Sequence, residues 1–114
     1  MAAEAAADKK ATDLMILDLR GSSAFTDFFV ICTAGNVRQA QAIADGITIA
    51  LKEQDVQPAL TEGYDRGQWI LIDYFDFIVH IFSPSAREYY GLERLWGEAK
   101  KIEITSFART SSPT

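Results

Sequence analysis

The sequence predicts an α/β fold in a single domain, with helices packed on a mixed β-sheet of about five strands. Two observations support this prediction. Short runs of β-branched and aromatic residues alternate with longer segments of helical periodicity. A helix separates the second run from the third and favours a parallel connection, whereas two residues separate the last two runs and favour an antiparallel hairpin. A sheet with both kinds of connection is mixed.

The first half of the chain contains a helix, two strands and a longer second helix. Alanine-rich residues 4–12 predict a short N-terminal helix, and the strands follow at 13–20 and 28–33. Asn36 is the predicted N-cap of the second helix, with Gln39 as the reciprocal capping partner. Apolar residues at helical spacing predict the buried stripe of this helix: Val37, Ala40, Ile43, Ala44, Ile47, Ala50 and Leu51.

The second half contains a short strand at 59–62 and a hairpin formed by 69–74 and 77–82. A loop of only Phe75 and Asp76 sets the hairpin register. This register puts six side chains on one core-facing side: Ile70, Ile72, Tyr74, Phe77, Val79 and Ile81. The other side is mixed and carries Trp69, Leu71, Asp73, Ile78, His80 and Phe82. Such a face is either covered by a helix or kept for a partner.

The chain after the hairpin predicts one last helix. Ser83 and Pro84 supply an N-cap and a first-turn proline. A stripe at helical spacing follows, made of Leu92, Leu95, Trp96, Ala99 and Ile102. Gly91 and Gly97 each weaken a helix by about 1 kcal/mol relative to alanine, so packing must hold it. We expect the domain to span 1–106 and a disordered C-terminal tail to span 107–114.

Composition limits the class of protein. The single cysteine, Cys32, cannot form an internal disulfide and fits a reducing, cytoplasmic environment. No apolar run approaches the roughly 18 residues of a membrane span, and Glu4 and Asp8 lie where a signal peptide would be basic and then apolar. A net charge of −5 argues against nucleic acid as the main partner and favours a basic protein surface.

The residues predict neither a catalytic centre nor a cofactor. The chain carries no P-loop, GxGxxG, GxSxG or HExxH motif. Cys32 lies within a strand and is expected to be packed, and His80, the only histidine, is expected to be structural or at an interface. Asp73 and Asp76 flank the hairpin tip, where acid–base chemistry or magnesium binding competes with ordinary turn chemistry. No set of metal ligands is complete, so a binding module is favoured over an enzyme.

Several motifs resemble the ribosomal silencing factor family, also called RsfS or Iojap. They are DKKATDLMILDLR (8–20), TDFFVICTAGNVRQAQAIAD (26–45), EG (62–63), WILIDY (69–74), DFIVHIF (76–82) and REYYGLERLW (87–96). The resemblance spans residues 8 to 102. It implies a mixed-sheet fold similar to a nucleotidyltransferase core. It also implies binding to the large ribosomal subunit through ribosomal protein fourteen at the subunit-joining face, which represses translation under nutrient limitation, and possible homodimers of the free protein.

Two alternatives stay open at this point. A nucleotidyltransferase-like enzyme is suggested only by the implied fold. Gly21 and Ser22 could form the phosphate-binding turn of such an enzyme, but no Asp-x-Asp pair follows on a strand to bind magnesium. A generic homodimeric interaction module is the other. For the favoured reading, we expect a partner-binding surface made of the mixed face, the hairpin tip and the start of the last helix: Trp69, Leu71, Asp73, Tyr74, Asp76, His80, Phe82, Arg87 and Tyr90.

Overall fold

The computed structural model of the protein describes residues 2–22, 26–97 and 99–103. Its elements in chain order are α1 (Ala2–Asp8), β1 (Thr12–Asp18), β2 (Phe28–Thr33), α2 (Val37–Lys52), β3 (Leu60–Glu62), β4 (Trp69–Asp73), β5 (Phe77–Phe82), α3 (Pro84–Tyr90), α4 (Leu92–Leu95) and β6 (Lys100–Glu103). These helices and strands form an α/β fold with a mixed sheet, as the sequence predicts. Residues 104–114, which include the predicted tail at 107–114, lie outside the described residues.

Within the described residues, the sheet has six strands in the order β3-β4-β5-β2-β1-β6. Strands β2 and β5 pair in parallel, and every other neighbouring pair is antiparallel. The predicted mixed sheet is therefore confirmed. The crossover through α2 does not bring β3 beside β2, because the β4–β5 hairpin lies between them and β3 forms one edge.

Helices α1 and α2 cover one face of the sheet, which we term the aliphatic face. Ile43 and Ile47 of α2 and Ile70, Ile72 and Ile81 of the hairpin have no exposed surface. Five members of the predicted α2 stripe are buried, whereas Val37 and Ala50 are partly exposed. Burial of these branched side chains at about 25 cal/mol per Å² is the main stabilising term on this face.

One of the two hydrogen bonds predicted for the capping box of α2 forms. The Asn36 Oδ1 accepts a hydrogen bond from the Gln39 backbone N at 2.8 Å. The Gln39 side chain, however, accepts from the backbone N of Gly35 at 2.6 Å instead of from Asn36. The capping partner therefore reaches one residue further back than the predicted capping box.

The N-terminal helix begins and ends earlier than the predicted range of 4–12. It runs from Ala2 to Asp8, and its alanines Ala2, Ala3, Ala5 and Ala6 are buried. Lys10 and Asp13 have positive φ angles of 68° and 50°, a left-handed backbone that a helix cannot continue through. Small side chains let α1 approach α2 closely, so the N-terminal helix is packed from its first described turn.

The predicted hairpin register is confirmed. Ile70 pairs with Ile81 and Ile72 pairs with Val79. The loop is closed by a hydrogen bond from the Tyr74 backbone N to the Phe77 carbonyl at 2.9 Å. The two-residue loop thus sets which side chains enter the aliphatic face.

The predicted single helix after the hairpin is wrong beyond Tyr90. Ser83 does cap α3, since its Oγ accepts from the Ala86 backbone N at 3.1 Å. Gly91 then ends α3 with φ 54°, and only the short α4 follows. Ile102 lies in β6, where it pairs with Ile16 of β1, and Leu95 is 73% exposed instead of buried. The open edge of β1 provides backbone hydrogen bonds that a helix at 100–103 could not use.

Candidate functional site

The face of the sheet opposite α1 and α2 carries a second core, which we term the aromatic face. Its buried members include Leu17, Phe29, Ile31, Ile78 and Phe82, with Ala86 of α3 packed against them. Trp96 closes one side, with its ring centroid 5.9 Å from that of Phe29. The mixed face predicted from the sequence is therefore covered by α3 and α4 over much of its area.

Strand β4 leaves a strip of this face open. Trp69, Leu71 and Asp73 are all partly exposed, while the alternating Ile70 and Ile72 are buried on the other side. Alternate residues of a strand share a face, so the three open side chains span about 13 Å along β4. This is the part of the predicted surface that a partner can reach.

Strand β3 widens the strip with two residues that the sequence prediction missed. Leu60 pairs with Asp73 and Glu62 pairs with Leu71, and opposed residues of antiparallel strands share a face. Leu60 is 46% exposed, and Glu62 is exposed as well. Identifying Leu60 and Glu62 from the sequence would have required the β3–β4 register, and the length of the loop at 63–68 does not determine it. Together with Tyr90, we term these residues the β4 surface: Leu60, Glu62, Trp69, Leu71, Asp73 and Tyr90.

Trp69 is held at the α3 end of the β4 surface. Its indole Nε1 donates a hydrogen bond to His80 Nδ1 at 3.0 Å. Its ring centroid lies 4.4 Å from that of Tyr90 and 5.1 Å from that of Phe82. Tyr90 is 43% exposed and is flanked by Tyr89, which is 79% exposed. Rings of this kind, supported from below and open above, are suited to anchor a partner.

The hairpin tip adds negative charge beside an exposed ring. Asp73 Oδ1 accepts a hydrogen bond from the Phe75 backbone N at 2.8 Å, which is the turn chemistry expected of this aspartate. Phe75 has φ 70° and is 72% exposed. Asp76 is exposed, and its backbone carbonyl accepts from Asp27 and Phe28. A phenylalanine in left-handed backbone with its ring in solvent is uncommon and marks the tip as a candidate contact.

Three predicted surface residues lie in the core. Tyr74, His80 and Phe82 are 6%, 4% and 1% exposed. Tyr74 belongs to the aliphatic face and stacks on Phe77 at 4.9 Å, because it lies one residue out of step with Asp73. His80 and Phe82 lie beneath Trp69 and Tyr90. In this conformation these three side chains offer almost no surface for direct contact.

Arg87 also points inward rather than toward a partner. Its Nη1 donates to Thr33 Oγ1 at 2.8 Å, and its Nη2 donates to Glu93 Oε2 at 2.8 Å. The Arg87 side chain is 13% exposed. Hydrogen bonds from Arg87 hold the pKa of Glu93 below its usual range. Arg87 therefore joins the end of β2 to α3 and α4, which supports the surface from behind.

The ionisable core groups are unsuited to catalysis. Burial lowers the pKa of His80 to about 4 and raises the pKa of the Cys32 thiol to about 12. Cys32 has no exposed surface, which confirms its predicted packing role. Among the described residues, no three His, Cys, Asp or Glu side chains form a group that could hold a metal ion. Within the same residues, no helix has the length and apolar character required to cross a bilayer.

Fold and surface together define a class: a small α/β domain with a mixed six-stranded sheet, whose open strip is aromatic and acidic. Comparison with known proteins then assigns the family. The family model described as "Ribosomal silencing factor during starvation" matches residues 1–114. The chain is 42% identical over 104 residues to a Bacillus subtilis protein named ribosomal silencing factor RsfS, covering 91% of this chain and 88% of the relative. The chain belongs to the ribosomal silencing factor family.

Further relatives agree with this assignment. The Halalkalibacterium halodurans ribosomal silencing factor RsfS is 40% identical, with 91% of this chain and 89% of the relative covered. A crystal structure of a Chromobacterium violaceum protein has a TM-score of 0.81 at 35% identity, covering 84% of this chain and 80% of that chain. A crystal structure of a Bacillus halodurans protein has a TM-score of 0.78 at 39% identity, covering 90% and 92%. The predicted family and fold class are both confirmed.

Proposed function

We propose that this protein binds the large ribosomal subunit through ribosomal protein fourteen and prevents the small subunit from joining. In this way it represses translation under nutrient limitation, in the cytoplasm. The observation that carries the proposal is the β4 surface, an open aromatic and acidic strip on a chain of the ribosomal silencing factor family. Relatives from Bacillus subtilis and Halalkalibacterium halodurans bear the name ribosomal silencing factor.

Two kinds of side chain, on the β4 surface and on the adjacent hairpin tip, contribute to binding. Trp69, Leu71 and Tyr90 offer apolar area that is already partly ordered by packing, so little side-chain entropy is lost on contact. Asp73 and Asp76 place negative charge at the tip of the hairpin. On a chain with net charge −5, these carboxylates favour a basic partner and speed its approach.

A steric mechanism requires no chemistry from the protein. If the factor and the small subunit need the same area of the large subunit, their bindings are mutually exclusive and follow mass action. Inhibition then rises with factor concentration and falls with excess small subunit. The buried, neutral His80 and the buried Cys32 are consistent with a protein that acts by occupancy and not by catalysis.

The test uses purified subunits and light scattering to follow their association. We expect the wild-type protein to lower the fraction that joins, and to have little effect on subunits already joined. Gradient sedimentation checks that the factor travels with the large subunit. Equal joining with the factor bound at saturation would disprove the steric mechanism, while failure to sediment with the large subunit would disprove the proposed partner.

Self-association through exposed apolar side chains is the second candidate function. Leu60, Tyr89 and Leu95 are 46%, 79% and 73% exposed, and such side chains could be buried between two copies of the free protein. Analytical ultracentrifugation across concentrations measures this directly. If a dimer forms and the large subunit dissociates it, the dimer and the ribosomal complex share a surface; if the dimer binds the subunit intact, they do not.

A further inference from the structure

His80 is buried directly beneath the β4 surface and carries an unusual set of contacts. It accepts the hydrogen bond from Trp69 Nε1 at 3.0 Å. Its ring packs edge-on against Phe29, with centroids 4.6 Å apart, and stacks on Phe82 at 6.0 Å. With only 4% of its surface exposed, His80 has almost nothing to offer a partner directly.

The hydrogen bond determines the tautomer of His80. An indole N–H can only donate, so Nδ1 must be unprotonated and Nε2 must carry the proton. Within the part of the chain that the structure describes, Nε2 has no hydrogen-bond partner. The Nδ1 lone pair is therefore the polar contact through which this buried ring acts, and that contact ends on Trp69.

Trp69 needs such a contact because its surroundings leave it partly open. Its ring packs at a tilt against both Tyr90 and Phe82, while the residue remains partly exposed. Ring contacts of this kind allow a range of orientations, whereas a hydrogen bond at Nε1 also fixes the direction in which the indole N–H points. An anchor ordered before binding loses less entropy on binding.

We infer that His80 is a positioning residue for partner binding, which holds the indole of Trp69 against Tyr90 in the orientation that the partner meets. The inference rests on the proposed function for its consequence, but the hold on Trp69 is a property of the free protein. His80 thus acts through Trp69 and touches no partner itself.

A double-mutant cycle on large-subunit binding tests this inference. His80→Phe keeps a buried ring and removes the acceptor, and Trp69→Phe keeps a ring and removes the donor. We expect His80→Phe to weaken binding about fivefold in the wild-type background, the effect of one neutral hydrogen bond. In the Trp69→Phe background the same change should have no further effect. Equal weakening in both backgrounds, or none in either, would overturn the inference.

A second measurement, on the free protein, distinguishes a positioning role of His80 from a purely structural one. In ¹H–¹⁵N spectra, the Trp69 indole N–H should be shifted and slow to exchange, and His80→Phe should move it toward the solvent-exposed position. The Trp96 indole serves as the internal reference. Ile78→Val is the matched control, because it trims a buried side chain on the same strand and face and should leave both the Trp69 signal and affinity unchanged.

A rescue variant, and spectra of the free protein, distinguish failure of this inference from failure of the proposed function. His80→Asn places a carbonyl oxygen near the position of Nδ1 and should keep the Trp69 signal, including where the phenylalanine variant fails to fold. If wild-type protein does not bind the large subunit, the proposed function fails while the spectra still test the hold on Trp69. An unchanged Trp69 signal in a folded His80→Phe protein would overturn the inference whatever the binding result.

Discussion

The two faces of the sheet are built from the same strands but packed in different ways. The aliphatic face is closed by α1 and α2 over isoleucines with no exposed surface. The aromatic face packs rings and one imidazole under α3 and α4, and leaves Trp69, Leu71 and Asp73 partly open. The first face stabilises the fold, and the second combines stability with the proposed contact surface.

Helix length accounts for this difference. Helix α2 has 16 residues and extends about 24 Å, enough to cross most of the sheet. Helix α3 has 7 residues and α4 has 4, so α3 extends only about 10 Å before Gly91 ends it. Short helices cannot cover the outer strands, and the uncovered strip of β3 and β4 becomes the candidate site. Changes on each face should therefore separate stability from binding.

The largest effect should come from the aliphatic face. Ile72 has no exposed surface, so Ile72→Ala removes buried methyl groups and leaves a cavity. We expect a loss of about 4 kcal/mol in the free energy of unfolding, measured by urea denaturation. Ile49→Ala on α2 is the matched control, because Ile49 is 61% exposed and its truncation should have little effect. Similar losses for the two variants would contradict the two-face description.

On the aromatic face, stability should depend on pH through His80. Burial lowers its pKa from 6.5 to about 4, so the unfolded chain binds more protons than the folded protein between these values. The stability that depends on a neutral His80 is fully present above about pH 6.5. As the pH falls toward 4, the free energy of unfolding decreases by up to about 3 kcal/mol. Thermal unfolding across this range measures it. His80→Phe should flatten the profile between pH 4 and 6.5, and an unflattened profile would assign the dependence to other groups.

Arg87 should matter for stability more than an exposed arginine does. Arg87→Met keeps most of the apolar stem but removes the hydrogen bonds that Arg87 donates to Glu93 and to the Thr33 hydroxyl. We expect a loss of about 2 kcal/mol in unfolding free energy. Arg94→Met provides the comparison, since Arg94 is exposed and its Nη2 donates to the Glu88 backbone carbonyl at 3.0 Å. Equal effects would show that the buried position of Arg87 adds nothing.

The smallest effect on stability, and a clear effect on binding, should come from the hairpin tip. Asp73→Lys with Asp76→Lys removes the hydrogen bond to Phe75 N, which costs about 1 kcal/mol of stability. Reversal of both charges should weaken large-subunit binding about tenfold at low salt and less at high salt. Asp8→Lys with Glu53→Lys makes the same change in net charge elsewhere on the surface. If this control weakens binding equally, overall charge and not the tip would be responsible.

Much of the fold could be predicted from the sequence because its signals are local. The hairpin loop of Phe75 and Asp76 set the register, and Asn36 and Ser83 marked two helix starts. The run of aromatic and β-branched residues at 28–33 identified β2, and the period-3.6 stripe from Val37 to Leu51 identified α2. Each of these features depends on residues a few positions apart, where loop geometry and capping hydrogen bonds act directly.

Tertiary structure alone decided the rest, since the deciding partners are distant in sequence. Helical spacing placed Ile102 in a helix, but the open edge of β1 recruits it into a strand opposite Ile16. The mixed face of the hairpin indicated a surface, yet Phe29 and Phe82 pack against His80 and bury it, and the β3 register adds Leu60 to the strip. Periodicity tells which side of a strand a residue occupies. Whether that side meets solvent or another element depends on packing between segments that the local pattern does not encode.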